Sequence, residues 1–118
     1  MENPLKDKSY AFALKIIESY KTLKEDKKEF ILSRQLLRAG TSIGANVEEA
    51  IGAQSKKDFL SKVSIAYKEA RESKYWLRLL RDSKLIDAKV ADELIQDIEE
   101  LLKLMGAIIS STKKALNQ

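Results

Sequence analysis

The chain has 118 residues, with 22 lysines and arginines against 18 aspartates and glutamates, and neither cysteine nor histidine. That length suits one domain with one core. Without cysteine there are no disulfides or thiolates, and without histidine neither Ser-His nor Cys-His hydrolysis is possible.

A net charge of +4 permits nucleic-acid contact without demanding it. The first ten residues, MENPLKDKSY, carry no apolar core of the kind a signal peptide needs. The longest uncharged runs, such as Ala39 to Val47, fall far short of the ~18–20 apolar residues of a membrane span. The expectation is a soluble, cytoplasmic protein with no membrane partner.

One proline and four glycines in a charged, aliphatic chain predict almost continuous helix. The first helix is expected from about Leu5 to Leu23. Its apolar face reads as Tyr10, Ala13, Leu14, Ile17 and Tyr20, widened by Phe12, Ile16 and Leu23. The charged run Lys24 to Glu29 reads as a turn. The second helix begins near Glu29 and reaches about Ile51, with Leu32, Leu36, Ala39, Ile43, Val47 and Ala50 in steps of three or four. Gly40 and Gly44 interrupt this pattern, at ~1 kcal/mol each relative to alanine. One reading is a break between two short helices. The preferred one is a continuous helix that admits a close neighbour, because the apolar register runs through both glycines.

Gly52 suits a C-cap, and Ser55 with Asp58 three residues later suits the start of a third helix, expected over 55–83. Its seam is Phe59, Val63, Ala66, Ala70, Ser73, Leu77 and Leu80, alternating steps of four and three like a heptad repeat. Asp87 caps a fourth helix, expected over 87–114, with Ala91, Leu94, Ile98, Leu101, Met105 and Ile108 as its seam. Short connections favour antiparallel neighbours. The predicted fold is all-α, a single antiparallel up-down-up-down four-helix bundle over residues 1–118.

Two polar constellations stand out. Gln35, Arg38, Ser42, Asn46 and Glu49 fall within about a quarter of the second helix's circumference. Arg38 and Glu49 are three turns apart, so they cannot pair with each other, though each could pair across to a neighbour. The favoured reading is a hydrogen-bonded seam between helices or subunits. A ligand or RNA contact through Arg38 and Asn46 is the functional alternative. An enzyme using Glu49 as a base ranks last, since no nucleophile, metal cluster or phosphate loop accompanies it.

The second constellation is charge on the third helix. From Ser55 to Lys84 there are nine basic and four acidic residues, net +5. From Asp87 to Lys114 there are four basic and six acidic, net −2. Lys56, Arg71, Lys74, Arg78 and Arg81 share one flank, and Lys57 adds a cation at the helix start. Asp58, Glu69 and Glu72 lie on the other flank. Such runs are usually solvated surface. They also suit a strip along a phosphate backbone, with Tyr67, Tyr75 and Trp76 as stacking partners. A third reading is self-assembly, with a basic flank meeting an acidic flank of the next subunit. Aromatics at Tyr75 and Trp76 are more often core or interface than base platforms.

The stretch QLLRAGTSIGANVEEA (Gln35 to Ala50) resembles the polar signature of the 23S rRNA-intervening sequence proteins. The stretch AQSKKDFLSKVSIAYKEARESKYWLRLL (Ala53 to Leu80) looks like that family's third helix, with its Ser-Lys-Lys-Asp-Phe start and its Glu-Ala-Arg-Glu run before Trp-Leu. With the first helix, the resemblance spans nearly the whole chain. It implies a four-helix bundle assembled as a homopentameric ring. It also implies similarity to the accessory variability determinant proteins of diversity-generating retroelements, which are basic and associated with RNA and a reverse transcriptase. It brings no catalytic residue, cofactor or metal.

The leading functional expectation is a non-enzymatic homo-oligomer that binds nucleic acid, structured RNA before DNA. Lys56, Lys57, Arg71, Lys74, Arg78 and Arg81 would carry the contact. The alternative is a protein-interaction scaffold whose charged flanks serve ring assembly.

Overall fold

The computed structural model describes residues 2–118 and contains four helices: α1 (Pro4–Glu25), α2 (Leu32–Ile51), α3 (Lys56–Asp82) and α4 (Ala88–Leu116). Connections of four to six residues join them. Each helix therefore turns back along its predecessor, giving an antiparallel four-helix bundle about 51 Å long. No strand occurs among the described residues. The α1–α2, α2–α3 and α3–α4 pairs pack closely, whereas α4 closes on α1 more loosely.

Local chemistry sets each helix end. Asn3 accepts the Lys6 amide at 3.1 Å, and Pro4 occupies the first turn of α1, where its missing N–H costs nothing. The Ser55 hydroxyl accepts the Asp58 amide at 3.0 Å to start α3. Asp87 accepts the amides of Lys89 and Val90 to start α4. The second helix begins at Leu32, not at Glu29, because Glu29 serves as its cap. Its carboxylate accepts the Ser33 amide at 2.7 Å and those of Ile31 and Leu32 at 3.2 Å. Burial alone would raise the Glu29 carboxyl, but these amides outweigh it and hold its pKa below the ordinary value of 4.5.

Helix α3 ends in a Schellman arrangement. The Leu85 amide donates to the Leu80 carbonyl and the Lys84 amide to that of Arg81. Lys84 sits at the position that favours glycine, with a left-handed φ of 62°, and Lys28 after α1 has φ 54°.

The seams of α3 and α4 follow the heptad spacing. Val63, Ala66, Ala70, Ser73, Leu77 and Leu80 are buried, as are Ala91, Leu94, Ile98, Leu101 and Met105. The face of α1 is rotated from the sequence reading. The buried residues are Leu5, Ser9, Phe12, Ile16, Ser19 and Leu23. Tyr10 (65% exposed), Leu14 and Ile17 lie outside. Two serines conceal this face from a hydropathy pattern. Ser9 is tolerated inside because its hydroxyl donates to the Lys6 carbonyl at 3.1 Å.

The glycines of α2 lie within one continuous helix and face α1. A Cβ on Gly40 would stand 2.8 Å from Ile16 Cγ1 and 2.9 Å from its Cγ2. A Cβ on Gly44 would stand 3.4 Å from the Ser9 carbonyl oxygen, at ordinary contact distance. The two positions therefore separate. Gly40→Ala is expected to lower stability by ~1–3 kcal/mol through overpacking. Gly44→Ala should leave it unchanged or raise it by up to ~1 kcal/mol through helix propensity. Urea melts of both variants check this, and equal losses at both positions would refute it.

Glu29 gives a pH test. Its folded pKa lies below its unfolded one, so its charge stabilises the fold fully above the unfolded pKa. That contribution fades as pH falls through the folded pKa. Glu29→Gln should therefore melt below the parent at pH 7, and the gap should close below the ordinary value of 4.5. A gap that persists at pH 2 would remove the carboxylate from the account.

Candidate nucleic-acid interface

The polar stripe of α2 is a seam with α3. Arg38 donates through Nη1 to Glu69 at 3.2 Å and through Nη2 to Glu72, while Gln35 steadies the same guanidinium at 3.4 Å. Glu72 also accepts the Trp76 indole N–H at 3.0 Å. At the other end Glu49 faces Lys62 at 3.7 Å. Between them, the Ser42 hydroxyl donates to the Arg38 carbonyl at 2.6 Å and the Asn46 amide to the Ser42 carbonyl at 2.9 Å. The ends of the stripe thus tie α2 to α3, and its middle satisfies its own backbone. Arg38 and Glu49 stand about 16 Å apart along the helix, so they do not form one site.

The six cations expected on the third helix fall into three groups. Arg71, Lys74 and Arg78 converge with Tyr67 and Tyr75 on a hollow of ≈ 410 Å³ between α3 and α4, with Leu102 beside them. Lys74 reaches across to pair with Glu99. Arg71 and Arg78 are exposed, and neither has a carboxylate within ion-pairing distance among the described residues. Tyr75 is 52% exposed and meets Trp76 edge-on, with centroids 5.2 Å apart.

Lys56 and Lys57 form the second group. They are exposed in the first turn of α3, roughly 20 Å along the helix from Arg71. Arg81 is the third. It donates to Asp82 and to Asp92, each at 2.9 Å, and so pins the end of α3 to α4. Chiefly through the Asp82 hydrogen bond, its own pKa is raised; in return the Arg81 hydrogen bond holds the Asp82 carboxyl below its usual value. Arg81 is thus spent on the fold rather than on the hollow.

Lys68 belongs with the free cations although charge counting alone did not single it out. It is exposed, three residues before Arg71 and seven before Tyr75, so it stands on the same ladder. That spacing was the available signal. Trp76, half-buried beside Tyr75, is engaged by Glu72 through its indole N–H. Beyond Tyr67 and Leu102 the surface turns acidic, with Gln96, Glu99, Glu100 and Lys103 around an adjoining hollow. The basic surface is therefore a narrow track bounded by α4. No three carboxylates converge to hold a metal ion among the described residues. No helix among them is long and apolar enough to cross a membrane.

A family model described as 23S rRNA-intervening sequence protein matches residues 2–107. The fold is similar to a crystal structure, at 1.70 Å resolution, of a protein with unknown function from the S23 ribosomal protein family of Bacteroides thetaiotaomicron VPI-5482. That protein is 48% identical, with a TM-score of 0.88 over 89% of this chain and 97% of its own. No curated protein matches the chain.

The seam makes a direct prediction. Arg38→Ala leaves Glu69 and Glu72 without their shared cation and should cost about 1 kcal/mol, or about 4 °C in melting temperature. Glu49→Gln should change stability by less than ~0.5 kcal/mol, since its cross-helix partner among the described residues, Lys62, forms a long surface pair. Thermal melts at neutral pH decide it, and equal effects would dissolve the distinction between the two ends.

Proposed function

The chain belongs to the 23S rRNA-intervening sequence protein family, and from that premise we propose a non-enzymatic homo-oligomeric bundle that binds structured RNA along α3. The observation that carries this reading is the hollow where Arg71, Lys74 and Arg78 meet Tyr67 and Tyr75. Guanidinium groups suit phosphate because their planar N–H fork matches two oxygens at once. An exposed tyrosine beside them offers a face on which an unpaired base can stack. Lys68, Lys57 and Lys56 continue the track toward the start of α3.

The subunit contact belongs elsewhere, on the apolar stripe of Tyr10, Leu14 and Ile17 that α1 leaves outside the bundle. Burying such a stripe against a second copy removes apolar surface from water. A ring of five copies, as the resemblance implies, would then leave the α3 track free. The similarity to the accessory variability determinant proteins that the resemblance implies would point the same way, toward an RNA partner.

The scaffold reading has support of its own, because Lys74 already pairs with Glu99 and a neighbouring subunit could extend that pairing. One experiment separates the two. Titrate an RNA hairpin with a single-stranded loop at two salt concentrations, and follow mass by light scattering. The expected result is salt-sensitive binding, with a log–log slope of ~0.7–0.9 per phosphate contacted. Arg71→Glu with Arg78→Glu should abolish binding without changing the mass, and Tyr75→Ala should weaken it by roughly tenfold. Leu14→Glu with Ile17→Glu should yield monomers. If the arginine reversals produce monomers instead, the track is an assembly surface and the scaffold reading stands.

A further inference from the structure

A second cavity lies at the end of the bundle where the α1–α2 and α3–α4 turns meet. It encloses ≈ 590 Å³ and is mostly apolar, with Leu23, Leu85, Ile86 and Val90 among its walls. That size falls within the range of small-molecule sites. The cavity does not stop at the turn. A shallower hollow of ≈ 320 Å³ shares Glu18, Ser19 and Val90 with it along the loose α1–α4 seam, but Lys15, Glu93 and Asp97 line that hollow with charge.

Charge at the mouth is one-sided. Lys27 and Lys84 stand there, and neither has a carboxylate within ion-pairing distance among the described residues. The other charges nearby are accounted for. Arg81 is held by Asp82 and Asp92, and Asp87 caps α4. Glu18 is exposed on the cavity's α1 wall, roughly two turns of α1 from the mouth. Lys84 also occupies a left-handed backbone position, φ 62°, that a glycine would fill without strain. A cation just past the end of α3 suits the helix dipole, which offsets only part of that strain. A side chain kept at a strained position beside a cavity directs attention to what the cavity holds.

We infer that this cavity binds a single-chain amphiphilic anion, with the alkyl chain on Leu23, Leu85, Ile86 and Val90 and the head group between Lys27 and Lys84. The chain lies within the apolar cavity itself, and the anion stays at its open mouth, where it keeps part of its hydration. A carboxylate or a phosphate monoester serves equally well as the head. The site shares no lining residue with the α3 hollow, so the two proposals stand or fall separately.

The test is calorimetry on the full chain with decanoate, decyl phosphate and decanol, each below its aggregation limit. The expected result is saturable binding of one decanoate or decyl phosphate per chain, with decanol about tenfold weaker. The tighter of the two anions identifies the head group. Lys84→Gly relieves the backbone strain, so it should melt no lower than the parent. It should weaken both anions by about tenfold and leave decanol unchanged. Val90→Glu acts at an exposed position in the first turn of α4, where an acidic residue suits the helix. It should abolish all three while the fold persists. Absence of saturable anion binding by the parent overturns the proposal. So does decanol binding as tightly as decanoate, or a Val90→Glu variant that binds normally.

Discussion

Ile16 lies so near α2 that a methyl group on Gly40 would collide with both of its γ-carbons. Much of the molecule follows from that approach. Ser9 and Gly44 continue it one turn away, so α1 meets α2 along a line of small residues. A helix drawn this close on one side is less available on the other. Helix α4 accordingly reaches α1 mainly through long side chains, with Lys8 bridging to Glu100 and Lys15 to Asp97 at 2.9 Å. Beneath those bridges lie the hollows of the α1–α4 seam. The same rotation turns Tyr10, Leu14 and Ile17 outward.

Electrostatics divides the basic residues into two populations. Arg38, Lys62, Lys74 and Arg81 reach carboxylates on neighbouring helices and help fix how α2, α3 and α4 sit against one another. Exposed pairs of this kind contribute little stability individually. Their use is positional, and Arg38 shows it best, since one guanidinium addresses two glutamates on successive turns of α3. Arg71 and Arg78, with Lys56, Lys57 and Lys68, have no such partner among the described residues. The excess positive charge of α3 is therefore concentrated where it is free to meet something else.

The seams of α3 and α4 were legible in the sequence because large aliphatic residues and alanines repeat there at heptad spacing. The face of α1 was not. Ser9 and Ser19 occupy core positions and read as polar, while Tyr10, Leu14 and Ile17 read as core and lie outside. Hydropathy reports which residues avoid water, not which of two apolar stripes another helix covers. The start of α2 was obscured for a different reason, since a glutamate that caps through its side chain resembles one that begins a helix. On α3 the sequence placed Arg71, Lys74 and Arg78 on one flank, and they line one hollow. It could not show that Arg81 is taken by Asp92, whose proximity depends on how the α3–α4 turn closes.

Those connections carry a kinetic implication as well. Three of the four helix contacts join elements adjacent in the chain, across turns of four to six residues. The one contact that brings distant segments together, α1 with α4, is also the weakest. Little loop-closure entropy must be spent before native packing begins to repay it. Such local wiring is the topology that favours fast folding among helical proteins.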